Sequence, residues 1–161
     1  MSTDNKIMLV IANSKNILTL SLKFCNNIQF VISSDNIKNA KEFYHNHNID
    51  LKNKLITTFD TGFDPYIYSI NYNKYDNIFH SLVFFSKIIN KQISLNSKKK
   101  YDVTICVERK HVKRVLIMAS HILKNVNTMR ILHISTDPVT EDDNNFEKIQ
   151  LNMFYNSFHY R

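Results

Sequence analysis

The sequence predicts a single α/β domain of about five parallel strands with helices on both faces. Three observations point to it. Several short apolar runs are continuous rather than alternating, as in strands buried on both sides. Apolar residues at helical spacing lie between those runs, so strands and helices alternate along the chain. With 161 residues, the chain fits one domain large enough to bury its own core, and no repeat or linker divides residues 1–161.

Lys6 to Ala12 (KIMLVIA) is the first continuous apolar run. The polar turn Asn13-Ser14-Lys15-Asn16 follows it and offers helix-capping residues. Ile17, Leu20 and Phe24 then recur at helical spacing. Ile28 to Ile32 reads as the second strand, Ser33-Ser34-Asp35 as turn and cap, and Ile37, Ala40 and Phe43-Tyr44 as a helix running to about His47. Leu55 to Phe59 reads as a third strand. Asp60 to Pro65, which holds the single glycine, Gly62, reads as a loop. Ile78 to Ile89 is apolar around most of a helical circumference and should be well buried. After the polar stretch Ser94 to Lys100, Asp102 to Val107 is the fourth strand. Val112, Leu116, Ala119 and Leu123 mark a helix, and Met129 to Ile134 the fifth strand. An acidic loop from Ser135 to Asn145 precedes a last helix marked by Phe146, Ile149, Met153 and Phe154. Crossovers between parallel strands should be right-handed.

Lys and Arg number 21 against 14 acids, a formal charge of +7 and a pI near 9.4. That surplus points to a polyanionic partner or a membrane surface. Cys25 and Cys106 each sit in an apolar run and read as buried thiols in a reducing compartment. Met1 to Lys6 carries Asp4 and no arginine, so neither a signal nor a transit peptide is expected there. No apolar run approaches the roughly 20 residues a membrane helix needs. The chain has 21 Asn, 20 Ile and 17 Lys but one Gly and two Pro, the signature of an AT-rich genome.

Several chemistries are set aside. One glycine cannot supply a GxGxxG or P-loop. The Asn13 to Asn16 loop can present backbone N–H groups at a helix start, but nothing there specifies a cofactor, and none is expected. Glu108-Arg109-Lys110 looks like the ExK element of metal-dependent nucleases, which needs a second acid at the cation. Asp102, on the same face of that strand, lies about 20 Å away, so a charged strand-end loop is the simpler reading. His45 and His47 are spaced i, i+2 and do not share a helix face. His80 and His133 lie in apolar runs, no HExxH or Ser/His/Asp set is present, and no metal site or catalysis is expected.

The basic residues form two groups. Lys98, Lys99 and Lys100 precede the fourth strand. Arg109, Lys110, His111, Lys113 and Arg114 follow it, and Arg130 lies near the start of the fifth. A strand of this length puts the groups about 20 Å apart, at opposite edges of the sheet. Two basic edges suit a phosphate backbone, with Lys15 added at the end of the first strand.

From the fourth strand onward the chain resembles the ribosomal small-subunit protein 2 family, a Rossmann-like family. Tyr101-Asp102-Val103-Thr104-Ile105 is similar to that family's Pro-Asp strand opening. Ile134-Ser135-Thr136-Asp137-Pro138 resembles its Asp-Pro turn, Glu141-Asp142-Asp143-Asn144 its acidic element, and Phe146 to Phe154 occupies the place of its closing helix. Met8 to Phe24 and Phe30 to His47 agree in layout with its first two units. Thr61-Gly62-Phe63 is similar to its Trp-Gly-Gly loop, although tryptophan is absent and the Gly-Gly pair is reduced to Gly62. The family's helical-hairpin insertion has no room here. The resemblance implies rRNA binding through the basic residues, assembly with neighbouring small-subunit proteins, no small-molecule substrate and no membrane. Composition and length together suggest a mitochondrial, organelle-encoded member, or alternatively one from the cytoplasm of an AT-rich bacterium. The other readings are a Rossmann-like nucleotide-sensing domain and a nucleotide-sugar-binding half-domain.

Overall fold

The computed structural model describes residues 5–24, 28–52, 54–59, 77–95 and 100–135, with side chains of the third helix described as far as residue 90. In chain order the elements are β1 (Lys6–Ala12), α1 (Lys15–Ser21), β2 (Gln29–Ser34), α2 (Ile37–Asn46), β3 (Lys54–Thr58), α3 (Asn77–Leu95), β4 (Tyr101–Cys106), α4 (Val112–Ile122) and β5 (Val126–Leu132). A 3-10 turn at Leu22–Phe24 prolongs α1, and another at Arg109–His111 leads into α4.

The five strands form one all-parallel sheet in the order β3-β2-β1-β4-β5. The chain winds outward from β1 to β3, then crosses back to place β4 on the other side of β1. The fold is therefore an α/β, Rossmann-like sheet with helices on both faces.

β1 is the spine, and its pleat divides the core in two. Ile7, Leu9 and Ile11 point into a cluster formed with α3 and α4, including Leu82, Phe85, Ile89, Val115 and Met118. Met8, Val10 and Ala12 point into a second cluster with α1 and α2, including Ile17, Leu18, Phe43 and Tyr44. None of the six β1 residues is more than 4% exposed, so the unbroken apolar run follows from burial on both sides. Removing one such side chain from water is worth about 1.5–3 kcal/mol.

Polar groups inside this core are held by specific partners. Ser81 Oγ on α3 lies 2.7 Å from both Ser33 Oγ on β2 and the Asn77 carbonyl, which pins α3 across the sheet. On the opposite face Ser21 Oγ lies 2.8 Å from the Tyr44 hydroxyl and donates to the Leu18 carbonyl at 2.6 Å. Cys106 is buried, its Sγ 3.6 Å from Met8 Sδ. Burial also pushes the Tyr101 hydroxyl pKa up.

Several boundaries differ from the sequence expectation, including β2 at Gln29–Ser34 and β4 at Tyr101–Cys106. α3 continues to Leu95 rather than stopping at Ile89, because Asn90 to Leu95 includes good helix formers that the apolar spacing alone did not count. β3 runs from Lys54 to Thr58. β5 starts at Val126, three residues before the expected Met129, and ends at Leu132. Its opening residues Asn127 and Thr128 are polar and exposed, so they carried no apolar signal. Cys25, the Asp60 to Pro65 loop, the acidic element Glu141 to Asn144 and the expected last helix lie outside the described residues.

Candidate nucleic-acid interface

In a parallel sheet every strand ends at the same edge, so the loops after β1 and β4 must meet there. The strand order reverses between these two neighbours, the position where open α/β sheets leave a crevice beyond the strand ends. After β1, Asn13 N donates to the Ile11 carbonyl at 3.1 Å, and Ile17 N to the Ser14 carbonyl at 3.2 Å. That tight turn sets Lys15 at the first position of α1, exposed. After β4, Val107 N donates to the Leu132 carbonyl at 3.0 Å and extends the sheet by one rung. Glu108 then starts the 3-10 turn, closed by His111 N donating to the Glu108 carbonyl at 2.9 Å. Arg109 is exposed, and its Nη1 donates to the Ser135 carbonyl at 2.9 Å, tying the loop after β4 to the one after β5. Lys110 is half-buried and Lys113 exposed. Lys15, Arg109, Lys110 and Lys113 thus share the carboxyl edge of the sheet.

His111 and Arg114 correct the expected basic face. They are 6% and 8% exposed, turned towards the sheet rather than away from it. Helical geometry is the reason, because His111, Arg114, Val115, Met118 and Ala119 fall on one side of the helix by i, i+3, i+4 spacing. Arg130 is also not at the end of a strand. It lies within β5, where Nε donates to Thr104 Oγ1 at 3.0 Å and the guanidinium sits 5.7 Å from the Phe24 ring centre.

At the opposite edge Lys100 is exposed immediately before β4, while Lys98 and Lys99 lie outside the described residues. The fold adds cations there that the sequence reading did not name: Lys6 opens β1, and Lys124 is exposed just before β5. Lys54 also opens a strand at this edge, but its Nζ donates to the Ile28 carbonyl at 3.1 Å and rests 4.6 Å above the Phe30 ring. That lysine is engaged in joining β3 to β2. The two basic edges are separated by the length of a six-residue strand, about 20 Å.

A concavity lies between the β1–α1 turn and α2. It is a groove of about 520 Å³. Ala12, Leu18, Ala40 and Phe43 form its buried floor, and Lys15, Asp35 and Glu42 stand on its rim. Sequence reasoning missed it, since Asn, Ser and Asp in so asparagine-rich a chain carry little signal on their own.

Among the described residues no group of three or more His, Cys, Asp or Glu is placed to hold a metal ion, and no described helix is long and apolar enough to cross a membrane. No protein-family model, curated protein or solved structure matches the chain.

Proposed function

We propose that the chain is a structural, non-catalytic constituent of a ribosomal small subunit, holding rRNA against the two ends of its sheet and contacting neighbouring ribosomal proteins. The observation that carries this reading is the pair of basic edges on a rigid core: Lys15, Arg109, Lys110 and Lys113 at one, Lys6, Lys100 and Lys124 at the other. Two cationic rims about 20 Å apart match phosphates on separate turns or strands of a folded RNA better than one compact ligand. Each cation that meets a phosphate releases condensed counterions, so affinity draws on the +7 charge and weakens as salt rises. The sequence resemblance to the small-subunit protein 2 family supports the ribosomal assignment, and the AT-biased composition supports a mitochondrial one.

The test is sedimentation of the native protein in a gradient of organelle lysate at low salt. Co-migration with the small ribosomal subunit, lost as salt is raised, is the expected result. Recovery only in the soluble top fractions at low salt rejects the proposal.

A further inference from the structure

β5 is the last strand on its side of the sheet, and its outer side carries no further strand among the described residues. Val107 N donates to the Leu132 carbonyl. By the two-residue period of a strand, Thr128, Arg130 and Leu132 therefore turn their peptide groups towards β4, and Met129 and Ile131 turn theirs outward. Among the described residues nothing pairs with those outward groups. Proteins usually blunt such a strand with a proline, a bulge or several charges. From Thr128 to Leu132 there is no proline, the register shift lies further back at Tyr101/Asp102, and the one charge is Arg130. That charge is held in place. Arg130 Nε donates to Thr104 Oγ1 at 3.0 Å, and the guanidinium sits 5.7 Å from the Phe24 ring centre. The residue is exposed, and among the described residues its two terminal nitrogens have no hydrogen-bond partner. A guanidinium fixed on one side presents the rest of its planar fork to a carboxylate.

From these two features we propose that β5 receives an extended acidic segment of a partner protein as an added strand, with a carboxylate of that segment gripped by Arg130. Main-chain hydrogen bonds supply the affinity of such pairing, and alternate side chains supply its specificity. On the face of Thr128 and Arg130 the segment presents Asp or Glu. On the other face it presents apolar side chains to Met129 and Ile131, which are half-buried against the cluster under α3 and α4. Three occupants of this side can be compared. A phosphate chain accepts hydrogen bonds without donating them, so it leaves the outward carbonyls of Met129 and Ile131 unsatisfied, whereas a peptide backbone does both. A second copy of the chain brings another +7 charges to the contact and is repelled. An acidic strand meets both the hydrogen-bonding pattern and the charge. The inference deepens the proposed contact with neighbouring proteins, and it rests on that reading only for the neighbour being ribosomal.

The test uses the full-length protein and a short end-blocked peptide of alternating valine and glutamate, followed by fluorescence anisotropy and by amide hydrogen exchange. The peptide should bind, and a copy with lysine in place of glutamate should not. Of two further copies, N-methylated at every valine or at every glutamate amide, one should lose binding, because only one set of amides faces β5. The amides of Met129 and Ile131 should exchange quickly in the free protein and become protected by the peptide, while those of Arg130 and Leu132 exchange slowly in both. Arg130→Ala should weaken the glutamate peptide about tenfold, as expected when a hydrogen bond to a charged group is removed, and leave a valine–threonine peptide unaffected. Exchange at Met129 and Ile131 that the peptide does not slow overturns the inference, as does equal binding of the glutamate and lysine peptides. A dimer in sedimentation equilibrium with both amides already protected gives the strand to a second copy. Protection by a single-stranded oligoribonucleotide in place of the peptide gives it to RNA. Either result also overturns the inference. Peptide binding by a protein that does not sediment with the small subunit keeps this site and rejects the ribosomal reading, and co-sedimentation without peptide binding does the reverse.

Discussion

Asp102 on β4 accepts a 2.8 Å hydrogen bond from Thr128 Oγ1 on β5. Asn127 Nδ2 donates to the same carboxylate oxygen at 3.0 Å, and Asn5 Nδ2 approaches the other at 3.4 Å. The hydrogen bonds from Thr128 and Asn127, helped by the charge of Lys6, hold this carboxyl below the usual carboxylate range. The link clamps the start of the edge strand to its neighbour, where a register shift at Tyr101/Asp102 interrupts the ladder. A carboxyl with a lowered folded pKa stabilises the protein above its unfolded value of about 3.9, and that contribution disappears as pH falls through the folded pKa. Asp102→Asn should therefore melt below the wild type at neutral pH, with the gap closing on acidification. Parallel melting curves for the two proteins across the acid range would contradict this role.

The basic edges predict a salt signature. Lys100→Ala, Lys110→Ala and Lys113→Ala should each weaken RNA binding regardless of sequence. Each lysine that truly meets a phosphate should flatten the plot of log affinity against log salt by about 0.7–0.9. Filter binding at several salt concentrations measures both. An unchanged slope in the triple variant would mean that RNA contacts lie elsewhere.

Arg114 serves as the contrast. Being buried beside the core-facing residues of α4, it should act through packing of its aliphatic stem and head rather than through RNA. Arg114→Ala is expected to cost about 0.5–3 kcal/mol in chemical denaturation and to leave the salt slope unaltered. A stable variant with a flatter slope would reverse the assignment.

Two turns rely on asparagine in the left-handed region: Asn48 at φ 58° after α2 and Asn125 at φ 61° before β5. Asn and Gly tolerate this region, whereas a β-branched side chain clashes there. Asn125→Gly should melt close to the wild type, and Asn125→Val should lose about 1–2 kcal/mol. Equal stability of the two variants would show that the strain is relieved elsewhere.

The ordering of strands and helices was legible because β1 is sandwiched and apolar from Ile7 to Ala12, and because β2 and β4 carry buried apolar residues at Phe30 to Ile32 and at Val103, Ile105 and Cys106. Edge strands were less so. β5 has polar, exposed residues at Asn127, Thr128 and Arg130, and its start is fixed by hydrogen bonds to Asp102 rather than by burial. The inward turn of His111 and Arg114 is written in their spacing with Val115 and Met118, although the charge of Arg114 points the other way. Which side of β1 would receive β4 was not legible, since two windings of the chain give the same alternation. The groove was hidden for a related reason: Ala12, Asp35 and Ala40 are brought together by parallel pairing of β1 with β2 and by α2 folding back, not by any motif.

The central place of β1 also governs how the chain can assemble. One of its edges is satisfied early by β2, but the other waits for β4, whose Cys106 is 98 residues from Met8 in sequence. At about 5–20 residues per second, a ribosome needs several seconds to supply that partner. Throughout that interval the most apolar strand of the protein presents an open hydrogen-bonding edge. Contacts so distant in sequence slow the closing step and leave the first half of the nascent chain exposed to pairing with other chains until the second half arrives.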